Sequence, residues 1–130
     1  MTRTPARPDL QAHHDATRLD SAVLVKELRD VLGAKLVAYL GGVKETRAVR
    51  QWAEGTRAVS GGEDLHRLRV AYQAARLLAE RDSNEVVQAW FQGLNPALGD
   101  RSPARLLREG AVEEVGPQVL AAARQFTAVG

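Results

Sequence analysis

The chain has no cysteine. That removes disulfides, thiolate nucleophiles and cysteine-bound zinc from consideration, and it suits a reducing compartment. Aromatic residues are scarce, with two each of Trp, Tyr and Phe, so any place where two of them adjoin asks for a reason. No apolar run approaches the roughly 20 residues that a membrane-spanning helix needs. The opening "MTRTPARPDLQAHHD" lacks the apolar stretch of a secretory signal, so a cytoplasmic location and no membrane partner are expected. No segment alternates apolar and polar residues for long enough to make a strand, and the expected class is all-α.

What is present is ordinary in bulk. At 130 residues, 45% hydrophobic and 26% charged, the chain can form one compact domain or two very small ones sharing a core. Charge is unevenly spread: residues 1–62 carry ten Lys and Arg against seven Asp and Glu, while residues 63–130 carry eight against nine. A polyanionic partner would meet the first half.

Residues 1–18 hold two prolines and no apolar period, and are expected to form a mobile arm. His13, His14 and Asp15 lie within it without a second ligand set, so no metal is expected. Helices are then predicted over "DSAVLVKELRDVLG", with Asp20 or Ser21 as cap and Gly33 as stop, over "AKLVAYL" before Gly41-Gly42, and over "KETRAVRQWAEG" closed by Gly55. From Glu63 to Glu80 the apolar residues Leu65, Leu68, Tyr72, Ala75, Leu78 and Ala79 recur at helical spacing. Asp82 or Ser83 suits the cap of a further helix through Phe91, and Pro103 the first residue of a short one near Arg108. The last stretch, "AVEEVGPQVLAAARQF", is expected to break at Gly116-Pro117, because an interior proline removes a helical hydrogen bond.

Two short helices joined by a glycine turn, over 34–55, are the elements of a helix-turn-helix, with Ala38 as the small residue that admits the second helix. On a helical wheel Ala48, Val49 and Trp52 share one side. Lys44, Arg47, Arg50, Gln51 and Glu54 share the other. Arg and Gln suit purine edges and Lys44 suits a phosphate, so Lys44, Thr46, Arg47, Arg50, Gln51 and Arg57 are the candidate DNA-binding residues.

Residues 89–110, "AWFQGLNPALGDRSPARLLREG", concentrate turn formers around an aromatic pair. Trp90 and Phe91 are expected beneath the segment. Asn95-Pro96 and Gly99-Asp100 favour turns that fix an extended, exposed loop. A rigid loop presenting Leu94, Leu98 and Arg101 loses little entropy on binding.

The helix-turn-helix with its Trp-x-x-Gly ending resembles Xre-type regulators. The pattern W-F-x-x-L-N-P-A-L-G-D-x-S-P-A-R-L-L-R-E-G at 90–110, followed by "VLAAARQF", is similar to the toxin-binding domain of the Xre/MbcA/ParS-type antitoxins. The match rests on Trp90, Asn95, Leu98, Gly99, Pro103, Leu106, Leu107 and Gly110. The resemblance extends over residues 20–127. Asp100 stands where many relatives carry a second glycine, and about one extra residue separates Val43 from Trp52.

The resemblance implies a helix-turn-helix region over 19–62 and a small helical toxin-binding region over 63–130. It further implies a type II antitoxin, a homodimer that sequesters a RES-domain, NAD-degrading toxin by covering its active site. Its complex would bind its own operator DNA. The implied toxin-binding residues are Trp90, Phe91, Leu94, Asn95, Leu98, Gly99, Arg101, Pro103 and Leu107. No catalytic residue and no cofactor are expected, since His66 has no evident serine or cysteine partner. The competing reading is a free-standing helix-turn-helix transcriptional regulator without a toxin partner. A third is an interaction scaffold that does not touch DNA.

Overall fold

The computed structural model describes residues 20–129, and the arm expected over 1–18, with His13, His14 and Asp15, lies outside the described residues. Among the described residues seven α-helices follow one another: α1 Ser21–Leu32, α2 Ala34–Leu40, α3 Thr46–Glu54, α4 Gly62–Ala79, α5 Asn84–Gln92, α6 Pro103–Glu109 and α7 Val112–Val129. A single 3-10 turn, Pro96–Leu98, lies between α5 and α6. The chain is all-helical over these residues.

The helix α4 sits at the centre, packed against α1, α2, α5, α6 and α7. The sequence predicts a helix here from apolar residues at helical spacing. Leu68, Val70, Ala71, Tyr72, Ala74, Ala75, Leu77 and Leu78 are buried all round it, together with Arg67 and Gln73. A helix buried this widely belongs inside a fold. Its alanines let neighbours approach closely, and one cluster of buried side chains runs through all seven helices.

The helix ends follow local chemistry. Asp20 occupies the N-cap of α1 but its side chain makes no capping bond. Ser83 caps α5 by accepting from Val86 N–H at 3.3 Å. Ser102 caps α6 by accepting from Arg105 N–H at 3.2 Å, with Pro103 in the first turn. At the end of α3, Gly55 is left-handed, its N–H reaches the Trp52 carbonyl at 3.1 Å, and Thr56 N–H reaches the Gln51 carbonyl at 3.0 Å. This pair of bonds is the Schellman closure that the Trp-x-x-Gly ending announces. The open carbonyls at the end of α1 are met from α5: Asn84 donates to the Asp30 carbonyl at 3.3 Å and Gln88 to that of Val31 at 2.8 Å.

Three expectations need correction. First, α3 begins at Thr46, so Lys44 stands in the turn before it. Second, α4 starts at Gly62 and α5 runs one residue past Phe91. Third, the break at Gly116-Pro117 is absent: α7 continues unbroken with Pro117 inside it. Packing overrides the local cost. Gly116 is buried against Val70 of α4, where an added Cβ would lie 3.4 Å from Val70 Cγ2. Val112, Val115, Val119, Ala122 and Ala123 are buried along the same helix. Pro117 and Glu113 face solvent, so the carbonyl that loses its donor can turn to water.

Candidate functional site

Residues 93–102 form a loop organised by Asn95. Its N–H donates to the Arg101 carbonyl at 3.1 Å, and its own carbonyl accepts from Leu98 at 2.9 Å and Asp100 at 3.0 Å. Its side-chain Oδ1 accepts from Ala97 N–H at 2.9 Å, the expected Asx turn. The loop is therefore fixed and exposed but not extended, since the 3-10 turn coils it back and pairs Asn95 with Arg101. Gly99 and Asp100 both take left-handed conformations, with φ of 67° and 59°. Asparagine and aspartate are the non-glycine residues that tolerate this region best, so Asp100 takes a conformation that glycine otherwise favours.

The nine candidate residues of this region divide by depth. Phe91, Leu98, Pro103 and Leu107 are buried, and Trp90 is 8% exposed. Trp90 and Phe91 meet edge to face, ring centres 5.1 Å apart. These five hold the loop from beneath. The surface belongs to Leu94, 76% exposed, with Gly99 and Arg101 also open to solvent and Asn95 half-buried.

Beside the loop runs a groove of about 710 Å³, bounded by Trp90, Leu94, Pro96, Ala97, Ala122 and Phe126. Phe126 is 41% exposed and was not among the expected residues. Its signal was present, because Val115, Val119, Ala122 and Phe126 continue one apolar stripe at three- and four-residue steps. Across the groove mouth the Arg81 guanidinium donates to the Thr127 carbonyl, tying the start of the α5 region to the end of α7.

The second region is the turn between α2 and α3. Gly41 N–H bonds the Val37 carbonyl at 2.8 Å and Val43 N–H bonds that of Ala38 at 3.0 Å. Ala38, Ala48, Val49 and Trp52 are buried between these helices and α1. On the outer side Lys44, Thr46, Arg47, Arg50 and Arg57 are exposed. Lys44, Arg47 and Arg57 line one depression of about 290 Å³. A larger neighbouring groove brings Thr46 to Lys44 and Arg47. Gln51 is half-buried: its Oε1 accepts from Arg57 at 3.4 Å. Arg50 lies 3.9 Å from Glu54, and Arg47 4.0 Å from Glu45. Exposed pairs at such distances are weak and leave the guanidinium groups available.

Among the described residues no group of three His, Asp or Glu is placed to hold a metal. His66 is exposed in a depression with Glu63, Glu113 and Glu114, whose lining contains no hydroxyl nucleophile. No helix among them is long and apolar enough to cross a membrane. Comparison with known proteins finds no matching family model, no matching curated protein and no matching solved structure.

Proposed function

We propose that the chain is a type II antitoxin that neutralises a RES-domain, NAD-degrading toxin by steric occlusion and represses its own operon by binding DNA. Support for the toxin partner comes from the resemblance of residues 90–110 to the toxin-binding domain of Xre/MbcA/ParS-type antitoxins. The observation that carries it is the Asn95-centred loop, a surface locked by four backbone-directed hydrogen bonds and set beside an apolar groove. A loop already ordered before binding forfeits little entropy, and its exposed Leu94 and Arg101 offer one apolar and one charged contact. Phe126 and Ala122 on α7 extend the same face toward the C-terminal end, where the occluding contact is assigned.

For DNA, α2 and α3 act as a helix-turn-helix within the 19–62 region, with Arg47 and Arg50 toward the bases and Lys44 and Arg57 toward phosphates. Residues 63–130 supply the toxin-binding region, and a homodimer presents two α3 helices to a two-fold operator. The experiment is co-expression with the product of the neighbouring reading frame. Cells survive the toxin only when the chain is intact. A neighbour that is not an NAD-degrading toxin, or toxicity that persists beside the chain, ends this reading. Should the protein bind operator DNA while the neighbouring product neither binds it nor is neutralised by it, the free-standing regulator takes its place.

A further inference from the structure

We propose that the DNA-facing surface extends beyond α3 onto the other half of the chain, with Arg108 of α6 and Lys35 of α2 each holding a backbone phosphate of duplex DNA. This rests on the reading of α3 as a DNA-facing helix. A groove of about 820 Å³ is lined by Lys35 and Tyr39 of α2, Lys44 and Glu45 of the turn, Arg47 of α3 and Arg108 of α6. Four cations there face one carboxylate. Cations gathered on one concave face repel one another, and a polyanion laid along it relieves that repulsion.

Arg108 is held at this groove by the fold. The buried Arg67 of α4 donates from Nε to the Leu107 carbonyl and from Nη1 to the Leu40 carbonyl, each at 3.0 Å. One guanidinium thus fastens the end of α6 to the end of α2, which brings Arg108 to the groove that Lys35 and Lys44 also line. Its helix neighbour Arg105 behaves differently: both Glu109 carboxylate oxygens lie 3.1 Å from its Nε. Among the described residues Lys35, Lys44 and Arg108 have no carboxylate partner. The adjoining depression shares Lys44 and Arg47 and adds Arg57. The cations therefore make a continuous track flanking α3.

Duplex is favoured over single strands because stacking platforms are missing. The groove contains one aromatic, Tyr39, which is 39% exposed, whereas single-strand channels stack successive bases on several rings. A tyrosine in a groove shared with two lysines suits a phosphate oxygen.

The test follows anisotropy of a fluorescent duplex carrying the DNA upstream of the gene, and of a scrambled duplex, across a salt series. Arg108→Ala and Lys35→Ala should each flatten the plot of log affinity against log salt by about 0.9, on both duplexes alike. Arg105→Ala should leave the slope unchanged, and Arg108→Lys should retain it, which separates charge from any packing effect. An unchanged slope in either alanine variant, with Lys44→Ala flattened, overturns the inference and leaves α3 as the DNA-facing helix. Absence of salt-dependent binding in the wild-type protein overturns both. Tighter binding to single-stranded RNA of the same sequence overturns the assignment to duplex.

Discussion

Arg67 and Leu107, forty residues apart, are joined by a 3.0 Å hydrogen bond from the guanidinium Nε to the carbonyl, inside the fold. The same side chain reaches the Leu40 carbonyl and lies 2.7 Å from Asp64 Oδ1. A cation placed against the carbonyl ends of two helices offsets their unsatisfied acceptors. Replacing Arg67 by Met strands both carbonyls and Asp64 together, a loss of about 3–5 kcal/mol. Arg67→Lys should recover only part, since one ammonium lacks the guanidinium fork that spans two acceptors. Urea unfolding reads both variants; a midpoint unmoved in Arg67→Met contradicts the account.

The turn before α3 is shaped by Trp52. A Cβ on Gly41 would stand 2.7 Å from Cη2 and Cζ3 of the buried indole. Gly41→Ala should therefore cost about 1–3 kcal/mol by overpacking, and Trp52→Ala about 3–5 kcal/mol by leaving a cavity. In the double variant the added methyl occupies vacated space, so its cost should largely vanish. Strict additivity in a double-mutant cycle would show that the two side chains do not meet.

Asn95→Ala removes the Oδ1 acceptor of Ala97 N–H while sparing the backbone bonds. The loss should be about 0.5–1.5 kcal/mol of stability, with faster amide exchange at Ala97 than in the wild type. Asn95→Asp keeps the acceptor and should keep the protection. Equal exchange in Asn95→Ala and wild type would mean that the side chain does not organise the loop.

Much of this was legible from residues alone. Gly33 and Gly55 marked helix ends, Ser83 and Pro103 marked starts, and Trp52 was expected on the packed side of its helix, where it is 2% exposed. Three features were not. Pro117 obeys its local rule only if nothing else acts, and the burial of α7 against α4 acts more strongly. Arg67 looks like any helical arginine, because its two carbonyl partners come from positions 27 and 40 residues away. Lys35 and Arg108 are likewise far apart in sequence and meet only when α6 docks on α2.

Pro117 supplies its own test. Pro117→Ala restores a donor for the Glu113 carbonyl, and the helix should gain about 1 kcal/mol or more after the looser unfolded chain is counted. The urea midpoint should rise without a change in the far-ultraviolet helical signal. A fall in the midpoint would mean that α7 needs the proline where it is.

On the proposed function, the loop at 94–101 presents this chain to an NAD-degrading toxin. The most direct measurement is NAD consumption by the purified product of the adjacent gene, titrated with wild-type protein, Leu94→Asp and Arg101→Ala. Both changes are on exposed side chains and should leave stability within about 0.5 kcal/mol. Wild-type protein should abolish NAD loss at a stoichiometric ratio, with Leu94→Asp and Arg101→Ala requiring excess. NAD consumed at an undiminished rate beside excess wild-type protein would contradict the claim.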